Sequence, residues 1–174
     1  MSEYFFNTID IIEHIKELNS GDRVFLSGTV YTARDAAHKR IVEMINNLDE
    51  LPFDLNNAFI YYAGPTPTPN GLSLGSCGPT TSSRMDNFAP LLLDLGLKGM
   101  IGKGPRNQKV IDSIVKNNAI YFCAIGGAGA LASRCIVNCE VMAFDDLGCE
   151  SVKKLEFKDF PLIVGIDCRG NTIF

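Results

Sequence analysis

The stretch RVFLSGTVYTARDAAHKRIVEMINN, residues 23–47, decides the fold class, because it joins a strand pattern directly to a helix pattern. Its first part, RVFLSGTVYTA, is typical of a β-strand. From Arg34 onward, Ala37, Ile41 and Met44 recur at the spacing of one helix face. Arg34 therefore stands at a strand-to-helix junction, which is where α/β proteins place their ligands.

The rest of the chain continues this alternation of strands and helices. Three further strands are predicted in the middle, at AFIYYAG, KGMIGK and AIYFCAI. A helix is predicted at PRNQKVIDSIVKNN, with Pro105 in its first position. The last third reads as three strands, CIVNCEVMAF, SVKKLEF and PLIVGID. We expect an α/β fold in a single domain over residues 1–174, with residues 1–20 as a leading helical segment.

Composition excludes several classes of protein. The net charge is −4 and no block of basic residues occurs, which argues against a nucleic-acid partner. No apolar run approaches the ~20 residues that a membrane-spanning helix needs. The start, MSEYFFNTID, lacks the features of a signal peptide, so a cytoplasmic location is expected.

The six cysteines are then expected to be thiols, since disulfides are rare in the cytoplasm. No CxxC pair is present and the chain has only two histidines, so the usual zinc and iron–sulfur spacings are missing. Cys135 and Cys139 alternate with apolar residues in CIVNCEVMAF and are interpreted as small core residues. Cys77 is the exception, because it lies in an unusual loop.

That loop, SCGPTTSSRMD at residues 76–86, places Gly-Pro and a row of hydroxyl side chains just before an arginine. A helix is predicted to begin after Thr80. Backbone N–H groups at a helix start, together with the hydroxyls and Arg84, would form a cradle for an anion. Ordinary N-capping is the alternative, although a cap needs only one hydroxyl.

Two other cationic residues, like Arg84, lie at junctions between predicted strands and helices. Arg34 lies at its strand-to-helix junction, and Lys103 follows a strand between Gly102 and Gly104. Taken one at a time, a surface ion pair or a solvated turn explains each of them. Arg34, Lys103 and Arg84 nevertheless all lie at element junctions of an acidic chain, which predicts a small anionic substrate, a dicarboxylate or a phosphate.

The segment GGAGALAS, residues 126–133, matches the GxGxxA pattern of dinucleotide-binding loops. Strand-like sequence resumes at about Cys135, which leaves too little room for the helix of a βαβ unit. A nicotinamide-binding protein is therefore the weaker hypothesis.

Four motifs in this order, TARDAAHKR, GPTTSSRMD, IGKG and IGGAGAL, resemble the C-terminal domain of class I, iron–sulfur-dependent fumarases. The ending DFPLIVGIDCRGNTIF is also similar to that of the family, so the resemblance extends from about Gly21 to Phe174. The β subunits of L(+)-tartrate dehydratases share the same framework. TARDAAH and RMD resemble the fumarases more closely.

The resemblance implies a swivelling β/β/α domain that acts as the β subunit of a two-chain hydro-lyase. The family's [4Fe–4S] cluster is held by three cysteines of the other domain or subunit, so this chain is expected to bind no metal alone and to need a cluster-bearing α subunit in a hetero-oligomer. The implied reaction is the reversible hydration of fumarate to (S)-malate. Dehydration of tartrate and a stand-alone dicarboxylate-binding module remain the alternatives.

The resemblance also implies roles for four residues. Arg34, Arg84 and Lys103 match substrate-binding residues of the family. Thr80 matches the threonine proposed as the base for the C3 proton, which requires positive surroundings to stabilise its alkoxide. The alternative is that Thr80 orients the substrate and an acid of the partner takes the proton. Thr81 replaces Thr80 if the register is off by one.

Overall fold

The computed structural model describes residues 2–71, 74–124 and 129–174. Its strands, in chain order, are β1 Glu3–Asn7, β2 Arg23–Thr32, β3 Phe59–Tyr61, β4 Gly99–Gly102, β5 Ile120–Cys123, β6 Ile136–Ala143 and β7 Val152–Ile166. Its α-helices are α1 Ile11–His14, α2 Asp35–Asn46, α3 Ala89–Asp94, α4 Gln108–Lys116 and α5 Gly129–Arg134. Short 3₁₀ helices cover Ile15–Glu17, Ser82–Met85 and Asp145–Glu150. The predicted α/β class is confirmed, whereas the swivelling β/β/α description stays a prediction.

The sheet closes on itself through its last strand. Strands β2, β3, β4 and β5 pair in parallel in that order. The 15-residue strand β7 pairs antiparallel with both β5 and β2 and so completes the ring. Strand β1 extends the free part of β2, and β6 extends the free part of β7.

Strand alternation divides the buried side chains into two cores. The inward residues of the ring, such as Leu26, Tyr61, Phe122 and Phe157, pack against one another. The neighbouring residues on the opposite face pack against α2, α3 and α4. The alternating burial of β2, in which every second residue is buried, follows from this arrangement. A rigid sheet therefore carries the loops that follow its parallel strands.

Three predicted boundaries differ from the structure. SVKKLEF and PLIVGID form one strand, because Asp159, with φ of 47°, lies at a register shift that lets β7 continue past it. The helix predicted from Pro105 begins at Gln108, since the Asn107 side chain accepts the Val110 N–H and caps it there. Within residues 1–20, Glu3–Asn7 is a strand beside β2, and helical structure is confined to short pieces after it.

Among the described residues, no helix combines the length and the apolar character that crossing a bilayer requires.

Candidate functional site

The predicted site residues lie where three neighbouring parallel strands end. Arg34 comes two residues after β2, and Lys103 directly follows β4. Thr80 is far from β3 in sequence, but its N–H donates to the carbonyl of Tyr62, the residue after β3, at 2.6 Å. Because the carboxyl ends of parallel strands share one edge of a sheet, the fold brings these three residues to the same edge.

The hydroxyl loop is joined to the end of β4 by backbone pairing. Thr81 and Lys103 form a parallel bridge, and the Ser82 N–H donates to the Lys103 carbonyl at 2.9 Å. The Lys103 N–H in turn donates to the Ser82 Oγ at 3.0 Å. These bonds hold partly buried Thr80 and exposed Lys103 in adjacent segments of the site.

Ser82 is buried and connects this loop to the sheet below it. Its Oγ lies 2.9 Å from the hydroxyl of Tyr121, which also donates to the Gly104 carbonyl at 2.8 Å. Burial raises the pKa of Tyr121, so the phenol keeps its proton and remains a donor. A Cβ on Gly102 would overlap the Ser82 Oγ, which explains glycine at that position. The loop therefore rests directly on the backbone of β4.

Arg84 lies in the 3₁₀ helix after the hydroxyl row, with its side chain 50% exposed. Its Nε donates to Asp35 Oδ1 at 3.1 Å, and its Nη2 lies 2.8 Å from Oδ2 of the same carboxylate. Asp35 is the first residue of α2 and follows Arg34 in the chain. This ion pair brings Arg84 to the segment that carries Arg34.

Arg34 is held at the start of α2 mainly through its backbone. Its carbonyl accepts both the N–H of His38 at 2.9 Å and the Nδ1–H of the same residue at 2.8 Å. Its Nε lies 3.8 Å from Oε1 of Glu150, beyond hydrogen-bond distance. Its Nη1 passes close to Gly64, where a Cβ would lie only 2.9 Å away. Glycine at position 64 therefore leaves room for this guanidinium.

A buried ion pair fastens the two loops beneath the site. Arg106 Nε donates to Asp86 Oδ1 at 2.6 Å, and the side chains are 0% and 5% exposed. The other carboxylate oxygen accepts the Asn107 N–H at 2.8 Å. The guanidinium carbon also lies 5.2 Å and 5.1 Å from the ring centroids of Tyr62 and Tyr121. The segment after Arg84 is thus tied to the segment after Lys103.

The helix predicted to begin after Thr80 forms as two separate pieces rather than as one α-helix, and the anion cradle stays a prediction. The 3₁₀ helix Ser82–Met85 comes first, and α3 begins only at Ala89. Thr81, in the cap position of the 3₁₀ helix, makes no side-chain capping bond. Backbone pairing with β4 replaces the helical geometry, so the loop hydroxyls are not explained by capping.

Several residues of this site were missed by the sequence reasoning. They are the ion-pair carboxylates Asp35 and Asp86, the buried Arg106 and His38, and the anchoring Ser82. The two carboxylates each stand within two positions of a predicted site arginine, which is a signal that could have been read. His38 and Arg106 carried no such signal, because their importance comes from burial.

The dinucleotide alternative loses support from the topology. Gly127 and its neighbours lie outside the described residues. Helix α5, Gly129–Arg134, has six residues and leads to β6, which pairs antiparallel with β7 rather than in parallel with β5. This is not the βαβ crossover that a dinucleotide loop requires.

Metal ligands are not grouped in the part of the chain that the structure describes. No set of three or more His, Cys, Asp or Glu residues there could hold a metal ion. All six cysteines are free, and burial raises the pKa of the Cys77 thiol to about 12. A thiol of that pKa stays protonated at neutral pH.

Comparison with known proteins identifies the family. The sequence model of the protein family described as "Fumarase C-terminus" matches residues 4–174 of this chain. The chain belongs to the fumarase C-terminal family. It is 40% identical over 164 residues to "Fumarate hydratase 2" of Leishmania major, and 39% identical over 167 residues to "Fumarate hydratase class I, anaerobic" of Escherichia coli. These matches cover 93% and 95% of this chain but only 29% and 30% of those proteins.

A third similar protein matches this chain over nearly the whole of its own length, unlike the two fumarate hydratases. A protein of Methanocaldococcus jannaschii named "Putative L(+)-tartrate dehydratase subunit beta" is 38% identical over 178 residues. That match covers 99% of this chain and 91% of the relative. This fumarase C-terminal chain therefore corresponds to less than a third of the fumarate hydratases and to nearly all of the archaeal subunit. The resemblance inferred from the motifs is confirmed.

Proposed function

We propose that this chain is the β subunit of a two-chain hydro-lyase that catalyses the reversible hydration of fumarate to (S)-malate. The observation that carries the proposal is that the segments bearing Arg34, Thr80, Arg84 and Lys103 lie at the carboxyl ends of neighbouring parallel strands. Cations at these positions can bind the two carboxylates of a dicarboxylate, and the hydroxyl is available for its reacting carbon. Membership of the fumarase C-terminal family supports the reaction class.

In this proposal the cations bind the substrate carboxylates and also stabilise the Thr80 alkoxide. Arg34 and Arg84 bind the substrate carboxylates, and Lys103 lies beside the hydroxyl loop, where its charge favours an anion. Thr80 takes the C3 proton of malate in the dehydration direction and returns it to the same carbon in hydration. The nearby positive charges lower the energy of the Thr80 alkoxide, which is otherwise too basic at neutral pH. The alternative role of Thr80 is to orient the substrate while an acid of the partner takes the proton.

The proposal places a [4Fe–4S] cluster on a partner α subunit, as the family resemblance implies. The described residues of this chain contain no group suited to a metal ion, so the cluster does not fit here and no step of this chain is routed through it. The difference in length supports a partner, because the match to this chain covers only 30% of the Escherichia coli fumarate hydratase, so about 70% of that protein lies outside it. In the resulting hetero-oligomer this chain closes the active site as a swivelling domain.

Tartrate dehydration is the second candidate, favoured by the archaeal relative that matches over nearly its whole length. Malate and tartrate, which the two enzymes would dehydrate, differ by one hydroxyl group. A stand-alone dicarboxylate-binding module is the third candidate, but such a module has no need for Thr80. An enzyme subunit explains all four residues together.

The test is an anaerobic pull-down of the tagged chain from its native lysate, with the co-purifying chains, the iron content and fumarate hydration recorded. A second chain that arrives with iron and hydratase activity supports the proposal, and activity on tartrate instead of fumarate selects the second candidate. A chain that is recovered alone, without iron or activity, yet binds dicarboxylates overturns the enzyme proposal.

Thr80→Ala tests the proposed base in the active complex. We expect kcat to fall by about 10²- to 10⁴-fold, with KM changed only a few-fold, because a proton-transfer group acts in the transition state. Thr81→Ala is the matched control, since Thr81 neighbours Thr80 but is exposed and pairs with Lys103 through its backbone. Equal losses of kcat and of substrate affinity in Thr80→Ala would show a binding role only. A loss confined to Thr81→Ala would shift the base by one residue.

A further inference from the structure

The ion pair between Arg84 and Asp35 determines which edge of the guanidinium remains available. Nε donates to Asp35 Oδ1 at 3.1 Å, and Nη2 lies 2.8 Å from Oδ2. A guanidinium has five N–H donors in a planar fork. One edge therefore faces the protein's own carboxylate, and the Nη1/Nη2 edge points away from it.

Asp35 is well placed to orient a partner. It begins the 12-residue helix α2, where a carboxylate is favoured by the helix dipole. Its side chain is 28% exposed, against 50% for Arg84, so the carboxylate is the more firmly enclosed member of the pair. The other end of the Arg84 segment is held by the buried Asp86–Arg106 pair. Arg84 is thus restrained from both sides.

We propose that Asp35 is a positioning residue that holds Arg84 with its Nη1/Nη2 edge directed at a substrate carboxylate. This inference rests on the proposed function of the site. Two-point binding of a carboxylate demands a fixed plane and direction of the fork. An arginine that is held in advance loses less side-chain freedom when the ligand binds. Asp35 therefore acts on substrate affinity through Arg84 and does not touch the substrate.

The alternative is that Asp35 occupies the edge that the substrate needs and competes with it. The two possibilities predict opposite changes for Asp35→Asn. Loss of a positioning carboxylate raises KM, whereas loss of a competitor lowers it. The control is Asp146→Asn, since Asp146, 65% exposed, forms a two-point pair with Arg40, which is 38% exposed and lies in α2 like Asp35.

The first measurement reports on the pair itself and needs no enzymatic activity. The side-chain ¹⁵Nε–¹H signal of Arg84 is recorded by NMR in the isolated full chain and assigned with Arg84→Lys. We expect slow hydrogen exchange of this Nε–H in the wild type, exchange faster by about tenfold in Asp35→Asn, and no change in Asp146→Asn. Identical exchange in the wild type and Asp35→Asn would overturn the proposal, whatever reaction the complex catalyses.

The second measurement is steady-state fumarate hydration by the complex with its partner subunit. Asp35→Asn is expected to raise KM by about tenfold while kcat stays within about twofold, and Asp146→Asn to change neither. In an Arg84→Ala background, Asp35→Asn should add nothing further, because its effect acts through Arg84. A lowered KM, or additive effects in the double variant, would overturn the positioning role. A wild-type complex without hydratase activity would refute the proposed function instead and leave the NMR result standing.

Discussion

Asp86→Asn tests how strongly the buried ion pair beneath the site stabilises the protein. The substitution keeps the size of the side chain and removes its charge. Arg106, whose side chain is 0% exposed, then has no anionic partner among the described residues. Its remaining contacts are the Tyr62 hydroxyl at 3.4 Å, the Met100 sulfur at 3.5 Å and two aromatic rings.

The expected cost follows from these contacts. Removing one partner of a buried ion pair typically costs about 3 to 5 kcal/mol, because the other charge is left without compensation. The aromatic rings attract Arg106 equally in both proteins, and the Asn oxygen still accepts one hydrogen bond. We therefore expect a loss of about 3 kcal/mol in the free energy of unfolding, or roughly 6 to 12 °C in Tm for a chain of this size.

The assay is urea denaturation at pH 7 with linear extrapolation, for the wild type and Asp86→Asn. The matched control is Asp94→Asn, because Asp94 pairs with Lys116 at 3.0 Å but the side chains are 43% and 69% exposed. That control should lose no more than about 1 kcal/mol. If Asp86→Asn costs as little as the control, the buried pair does not hold the two loops, and the reasoning is refuted.

Three further changes give distinct outcomes. Gly102→Ala should lower the free energy of unfolding by about 1 to 3 kcal/mol, because the added Cβ overlaps Ser82 Oγ, and unaltered urea denaturation would contradict this contact. Burial lowers the pKa of His38 to about 4, so the unfolded chain binds an extra proton between about pH 4 and 6.5. Stability should rise with pH across that window, by on the order of 3 kcal/mol in total, and this rise should disappear in His38→Phe but persist in His14→Gln. Arg84→Lys should raise KM although it keeps the positive charge, because lysine cannot bind a carboxylate through two parallel N–H donors. A near-normal KM would show that Arg84 does not bind the substrate carboxylate at two points.

Much of the fold and site could be predicted because the signals are local. The periodicity of residues 23–47 places Arg34 between a strand and a helix, and the structure has it between β2 and α2. The glycines around Lys103 likewise mark the end of a strand, which is where β4 ends. Boundaries were less accurate where a tertiary contact replaces the local preference. The segment after Thr80 pairs with Lys103, the residue after β4, and then forms only a short 3₁₀ helix before α3 begins at Ala89.

The sequence by itself determined the α/β class, the family and the four candidate residues, because periodicity and motifs are properties of neighbouring positions. Only the tertiary structure decided which ion pairs hold the segments that carry these residues. Arg84 and Asp35 are 49 positions apart, and Asp86 and Arg106 are 20 apart, so no local pattern encodes either ion pair. The parallel strands bring these segments to one edge, and burial then turns ordinary charged residues into strong constraints on the site.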